Sequence, residues 1–118
     1  MQIHLISVGT RMPLWIQQGF DEYSKRLPRE CALNLLEVQM KKRTKNCDLQ
    51  RLIKEEGRQI LSFIPPSALV IAMDLSGEHW STEQLASALG SWQLQYRHVT
   101  LLIGGPDGLS KECLAQAN

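Results

Sequence analysis

Two short, largely apolar runs constrain the fold of this chain more than any other feature of its sequence. The runs "ALVIAM" at 68–73 and "VTLLI" at 99–103 are short, and turn-forming residues follow them closely. Apolar runs of this length are typical of strands that are covered on both faces, as in a parallel sheet. They predict a buried parallel sheet at the centre of the molecule.

Strands and helices alternate along the whole chain. Further strands are predicted at 3–8 and 33–38, and helices are predicted to begin near Pro13, after Asn46 or Asp48, and at Ser81. This alternation predicts an α/β fold with a mostly parallel sheet flanked by helices, in one domain that spans 1–118.

Apolar side chains recur at helical spacing on the predicted helices. On the first helix the stripe contains Trp15, Ile16, Phe20 and Tyr23, and on the third it contains Leu85, Ala86, Leu89 and Trp92. We expect both stripes to pack into the core, since core packing is the commoner fate of such a stripe. In the first stripe, an aromatic recognition surface is the less favoured alternative.

Composition and the cysteine pattern exclude several classes of protein. The chain is 43% hydrophobic and 21% charged with a net charge of +1, and it has no apolar run of membrane-spanning length. Its first residues, "MQIHLISVG", lack the pattern of a signal peptide. We therefore expect a soluble cytoplasmic protein. The three cysteines and three histidines are scattered, so we expect neither a disulfide framework nor a metal site.

The loops after the two apolar runs are the candidate ligand sites, because ligands bind beyond the carboxyl ends of parallel strands. The loop "GGPDG", from Gly104 to Gly108, matches neither the dinucleotide fingerprint nor a Walker phosphate loop. Its glycines allow close backbone approach to a compact polar ligand such as a nucleoside. A plain turn between a strand and a helix that begins at Ser110 is equally compatible with this sequence.

Asp74 follows the first apolar run directly, in "MDLSG". A carboxylate at that place could act as an acid or base, or hold a ribose. An aspartate before a glycine more often bonds nearby backbone amides in a turn, and we favour that interpretation.

A cluster of four cations, Lys41, Lys42, Arg43 and Lys45, lies in one predicted loop, "KKRTK". Such a cluster fits contacts to the phosphates of a polyanion such as RNA. A solvated basic loop without a partner remains an open alternative.

Several stretches together resemble one family. These are "VGTRMPLWIQQGFDEYSKRLP", "KKRTKN", "MDLSG" and above all "LLIGGPDGLS", in that order along the chain. They resemble the bacterial RlmH-type ribosomal RNA methyltransferases of the SPOUT superfamily. Each motif alone is weak, but their joint occurrence is specific.

The resemblance implies an enzyme that uses S-adenosylmethionine to methylate N3 of a pseudouridine in 23S ribosomal RNA, within the ribosome. It also implies a homodimer built on a trefoil-knotted α/β domain. Carried over to this sequence, the cofactor-binding positions fall on Met73, Gly104, Gly105 and Gly108. The basic loop with Lys41, Lys42, Arg43 and Lys45 is then expected to lie against RNA. No catalytic residue is carried over.

Members of the resembled family continue beyond the point that corresponds to Asn118, with a further strand and helix. We therefore expect the knot and the cofactor pocket to be incomplete within 1–118. Two alternatives to the methyltransferase stay open. One is a ribosome- or RNA-binding remnant without catalysis, and the other is an unrelated mononucleotide-binding α/β domain.

Overall fold

The computed structural model describes residues 1–10, 12–44 and 46–118. Strands and helices alternate in it as the sequence predicts. The elements are β1 (Gln2–Val8), α1 (Leu14–Ser24), a short 3₁₀ turn (Arg29–Cys31), β2 (Ala32–Val38), α2 (Leu49–Ser62), β3 (Leu69–Met73), α3 (Thr82–Gln95), β4 (His98–Ile103) and α4 (Lys111–Gln116).

The four strands form one parallel sheet in the order β2-β1-β4-β3. In the register of the sheet, Ile6 of β1 lies beside Leu36 of β2 on one flank and Leu102 of β4 on the other. The predicted α/β class with a mostly parallel sheet is therefore confirmed. All four carboxyl ends meet at one edge, where the candidate loops follow.

The helices begin where the sequence places capping residues. The Asp48 carboxylate accepts a hydrogen bond from the Arg51 amide at 3.3 Å, which identifies Asp48 as the cap of α2. Ser81 and Gln84 form the predicted capping box, with hydrogen bonds of 2.7 and 3.1 Å. Ser110 caps α4. These local hydrogen bonds fix the entry of the chain into α2, α3 and α4, whereas α1 begins after Pro13 without a side-chain cap.

We call the sheet face beneath α2 and α4 the packed side. Because crossovers between parallel strands are right-handed, α2 lies on one side of the sheet and α1 and α3 lie on the other. Strand residues on the packed side form the main core cluster together with side chains of α2 and α4. Five of its members are at most 2% exposed: Ile6, Val38, Ile60, Leu102 and Cys113. The core of the protein therefore sits mainly between the sheet and α2 with α4.

We call the opposite sheet face the open side. Ile3 and Val99 are buried there at the amino ends of their strands. Towards the carboxyl ends, Leu35 and Ile103 are 37% exposed and Met73 is 56% exposed. The expectation that the two apolar runs are covered on both faces is wrong for this half of the open side.

The predicted core stripes of the helices on the open side are also wrong in large part. None of the residues of α1 or α3 is buried. Trp15 of α1 is 73% exposed and Tyr23 is 68% exposed, while Leu85 and Ala86 of α3 are exposed as well. The physical reason is that helical periodicity reports an apolar face but not the presence of a surface that covers it.

Two residues of the third-helix stripe come closer to the prediction. Leu89 and Trp92 are half-buried. The Trp92 ring lies 6.2 Å from the Trp80 ring, tilted by 35°. This aromatic pair joins α3 to the loop after β3, and its packing is with that loop rather than with the core cluster.

Candidate functional site

The glycine loop, which we define as residues 104–109, follows β4 at the carboxyl edge of the sheet. The Gly108 amide donates a hydrogen bond to the Gly105 carbonyl at 3.0 Å, and the two residues form an isolated antiparallel bridge. Gly108 has φ +84°, in the left-handed region that glycine adopts without strain. The loop is therefore a tight turn whose shape depends on its glycines.

The need for glycine is strongest at Gly104. A Cβ atom there would lie 2.5 Å from the backbone carbon of Gly108, so any side chain would force the turn apart. A Cβ at Gly105 would lie 3.2 Å from the Val8 side chain, close to the end of β1. At Gly108, in contrast, no atom of the described residues beyond its two chain neighbours lies within 4 Å of the corresponding position. The backbone at Gly108 thus has open space beside it.

Met73 lies at the neighbouring strand end. It pairs in register with Ile103, the residue just before Gly104, because β3 and β4 are adjacent. The fold therefore brings together the carboxyl ends that carry Met73, Gly104, Gly105 and Gly108. Their role toward a cofactor stays a prediction.

Asp74 adopts the turn role that the sequence favours. Its carboxylate accepts hydrogen bonds from the Ser76 amide at 3.2 Å and from the Ser76 hydroxyl, and the Gly77 amide donates to the Asp74 carbonyl at 3.0 Å. The hydrogen bond from the Ser76 hydroxyl, followed by that from its amide, lowers the pKa of Asp74. A carboxylate held ionised in this way organises the loop after β3.

The basic loop, residues 41–45, follows β2 at the same edge. Lys42 is exposed, Lys41 is half-buried, and Lys45 lies outside the residues that the structure describes. Arg43 lies against the molecule with 21% of its side chain exposed. These cations therefore differ in how freely their side chains face the solvent.

The Arg43 guanidinium is held by a buried carboxylate. Its Nη1 and Nη2 atoms donate to Oε2 and Oε1 of Glu56, at 2.6 and 3.0 Å. The Lys41 amide donates to the same Oε2 at 2.9 Å. Burial of Glu56 favours its protonated form, but the hydrogen bonds from Arg43 and Lys41 outweigh it, so the pKa of Glu56 lies below its usual range.

A further ion pair joins the basic loop to the glycine loop. The Arg43 Nε atom donates to Oδ2 of Asp107 at 3.2 Å. The two loops are 64 residues apart in sequence and follow strands that are not adjacent in the sheet. The pair therefore ties together the two candidate sites, the one for a nucleoside and the one for RNA.

Sequence reasoning did not find Glu56 or its role. A signal for it exists, since Ile53, Glu56 and Ile60 are spaced by three and four residues and share one helical face. An acidic residue on the apolar face of a helix is almost always paired when it is buried. The partner itself could not be read from this spacing.

The remaining chemistry-bearing groups form no second cluster at this edge. Within 1–10, 12–44 and 46–118, no group of three or more metal-ligating side chains is found. Cys31 and Cys47 are half-buried, and burial raises the pKa of the buried Cys113 thiol.

Among the helices of the described residues, none is long and apolar enough to cross a membrane.

Comparison with known proteins agrees with this architecture. The model of the family described as "Predicted SPOUT methyltransferase" matches residues 1–118. The chain therefore belongs to the SPOUT methyltransferase family, and the predicted enzyme class is confirmed.

One curated relative is similar over nearly the whole chain. The chain is 47% identical to the ribosomal RNA large subunit methyltransferase H of Methylococcus capsulatus (strain ATCC 33009 / NCIMB 11132 / Bath), over 117 residues. The alignment covers 99% of this chain and 76% of the relative.

Proposed function

We propose that this protein is an S-adenosylmethionine-dependent methyltransferase that modifies N3 of a pseudouridine in 23S ribosomal RNA, within the large ribosomal subunit. The name of the Methylococcus relative supports ribosomal RNA as the substrate. The observation that carries the proposal is the arrangement of two loops at one edge: a glycine loop beside the end of β3, and a basic loop tied to it by the Arg43–Asp107 ion pair.

The residues at this edge suit the proposed cofactor. An adenosine is neutral and a methionine moiety is zwitterionic, so both are bound by backbone donors and acceptors without a phosphate cradle. The tight glycine loop, with open space beside Gly108, offers such groups next to the strand end at Met73. When bound, S-adenosylmethionine supplies an electrophilic methyl group.

The part of the protein in the reaction is mainly positioning. Met73, Gly104, Gly105 and Gly108 are the proposed cofactor-binding residues, and they lie at the ends of adjacent strands. A rigid edge of this kind can hold two reactants in line, which lowers the entropic part of the barrier. The basic loop, with Lys42 exposed on it, is proposed to contact RNA phosphates.

A titration of S-adenosylmethionine into the full-length protein tests the cofactor site. We expect Gly104→Ala to weaken binding by about tenfold or more, because its Cβ would strike the backbone of Gly108. Gly90→Ala is the matched control, since among the described residues nothing beyond its neighbours and the backbone of α3 lies within 4 Å of its Cβ position. Equal affinity in both variants would refute the assignment of the glycine loop, and preference for ATP or NAD would favour a mononucleotide-binding domain.

Methyl transfer to ribosomes tests the substrate. Large subunits or whole ribosomes that lack the modification are incubated with methyl-labelled cofactor, and the labelled nucleotide is identified by mass spectrometry. We expect label on a pseudouridine of 23S RNA. Salt-sensitive RNA binding without methyl transfer would instead indicate an RNA-binding module that has lost catalysis.

The basic loop has its own test. Each phosphate contact that is lost lowers the slope of log affinity against log salt by about one. We therefore expect Lys42→Gln to reduce this slope by about one, while Lys54→Gln, on the exposed surface of α2, leaves it unchanged. An identical slope in the two variants would argue against RNA contact at Lys42.

The homodimer is proposed on the family resemblance. Sedimentation velocity of the full-length protein should give a mass twice that of one chain. A monomer that methylates ribosomes at the normal rate would contradict this part of the proposal.

A further inference from the structure

Three segments of the chain meet at Arg43. The guanidinium belongs to the basic loop, Glu56 belongs to α2, and Asp107 belongs to the glycine loop. One cation therefore lies between two carboxylates. Each carboxylate contributes a different constraint, because one is buried and the other is half-exposed.

Glu56 is the fixed end of this arrangement. Its side chain is 3% exposed and accepts two hydrogen bonds from the Arg43 fork and one from the Lys41 amide. Two parallel hydrogen bonds between a guanidinium and a carboxylate set the plane of the guanidinium as well as its position. The Nη1 atom also donates to the Lys41 carbonyl at 2.8 Å, which closes the basic loop on itself. Arg43 is therefore anchored without any contribution from Asp107.

Asp107 is the adjustable end. It lies at the tip of the glycine loop, and its side chain is 32% exposed. The Nε atom of the anchored guanidinium donates to Asp107, and Nη2 lies 3.7 Å from the Cβ position of Gly105. The guanidinium thus contacts the glycine loop through Asp107, and it lies in the space that a side chain at position 105 would meet. Glycine-rich turns have many accessible conformations, so an external contact of this kind selects among them.

We infer that Arg43 is a positioning residue for the cofactor: anchored on Glu56, it holds the glycine loop through Asp107 in the conformation that binds S-adenosylmethionine. This inference rests on the proposed function and deepens it. It gives Arg43 a structural role within the protein, in addition to the RNA contacts that are proposed for the basic loop as a whole. Arginine is required for this role, because a lysine ammonium cannot reach two carboxylates as a planar fork does.

Two variants weaken the link at different points. Asp107→Asn removes the charge at the loop end and leaves the Arg43–Glu56 pair intact, so it leaves no buried charge unpaired. Arg43→Lys keeps the positive charge but loses the fork. Glu55→Gln is the matched control, because it removes an ion pair of the same length, 3.2 Å, between Glu55 and Arg51 on α2.

The first measurement is the dissociation constant of S-adenosylmethionine by calorimetry, with the full-length protein. We expect Asp107→Asn and Arg43→Lys each to raise it about threefold to tenfold. The double variant should raise the dissociation constant no further than the weaker-binding single variant, since both changes weaken the same link. Glu55→Gln should bind like the unaltered protein.

The second measurement separates positioning from mere stability. In steady-state methyl transfer, Asp107→Asn should raise the KM for S-adenosylmethionine while leaving kcat, the KM for ribosomes and the melting temperature nearly unchanged. Hydrogen exchange at the amides of Gly105, Asp107, Gly108 and Leu109 should become faster in Asp107→Asn and not in Glu55→Gln.

The outcomes distinguish this inference from the proposed function. If the unaltered protein binds S-adenosylmethionine and Asp107→Asn binds it equally well, the inference is wrong and the proposed function stands. If the unaltered protein does not bind S-adenosylmethionine, the proposed function fails and the inference fails with it. Weaker binding in Asp107→Asn with an unchanged melting temperature supports both.

Discussion

The two sides of the sheet are built from the same strands but differ in how they are covered. On the packed side, Leu102 is fully buried beneath α2 and α4. On the open side, its neighbour Ile103 is 37% exposed, and the helices on that side contribute no buried residue. Both sides are apolar, so the difference lies in the packing partners. Stability should therefore depend mainly on the packed side.

The largest expected difference concerns leucines on the two sides. Leu102→Ala should lower the free energy of unfolding by about 3 kcal/mol, because it removes buried contacts and leaves a cavity. Leu35→Ala, on the open side, should cost about 1 kcal/mol, since that side chain is 37% exposed. Urea unfolding of both variants measures this. Equal decreases in the free energy of unfolding would mean that the open side is covered in solution.

Glycines in the helices give a second contrast. A Cβ at Gly57 of α2 would lie 2.3 Å from the Ser110 hydroxyl oxygen and 2.8 Å from its Cβ, and Ser110 caps α4. Gly57→Ala should therefore destabilise the protein by about 2 kcal/mol. In the described part of the chain, a Cβ at Gly90 would meet nothing within 4 Å beyond its neighbours and the backbone of α3, so Gly90→Ala should stabilise the protein by about 0.5 kcal/mol. Thermal melts check the two signs, and stabilisation by Gly57→Ala would contradict the close packing of α2 on α4.

A buried hydroxyl tests how tightly the packed side is closed. The Thr100 side chain is fully buried, and its hydroxyl has no hydrogen-bond partner among the described residues. Thr100→Val should raise the free energy of unfolding by about 1 kcal/mol, because the unpaired polar group is removed. Chemical unfolding measures the change. A decrease of similar size in the free energy of unfolding would indicate that the Thr100 hydroxyl forms a hydrogen bond in solution.

The smallest expected effect is a pH dependence at the amino edge. His4 Nε2 and His98 Nδ1 lie 3.0 Å apart, and burial, followed by the charge of His98, lowers the pKa of His4 below 6.5. The folded state therefore binds this proton less readily than the unfolded chain does. The stability that the protein has with His4 neutral is complete above about pH 6.5. It decreases as the pH falls below that value, because the unfolded chain then binds the proton more readily.

Melting curves between pH 5 and 8 test this sign. The decrease in melting temperature toward acid should be smaller in His4→Gln than in the unaltered protein. His98→Gln should keep part of the decrease, because it removes the smaller of the two causes and leaves His4 buried. An identical acid profile in His4→Gln would contradict the assignment.

Local order was readable from the sequence because it depends on neighbouring residues. The alternation of strands and helices, the caps at Ser81 and Ser110 and the favoured turn role of Asp74 are confirmed, and of the two candidates for the cap of α2, Asn46 and Asp48, it is Asp48 that caps the helix. The glycine loop and its place after a buried strand were predicted as well. Each of these features is decided within a few residues along the chain, so a single sequence contains the information.

The tertiary structure alone decided which apolar faces are covered and which charges meet. The stripe of α1 has the spacing of a core helix, yet Trp15 is exposed, because burial depends on a partner surface elsewhere in the fold. The ion pair of Arg43 with Asp107 joins residues 64 positions apart, across the order of the sheet. The sequence by itself determined the elements and the chemistry of the loops. Long-range packing determined that Arg43 of the basic loop pairs with Asp107 of the glycine loop.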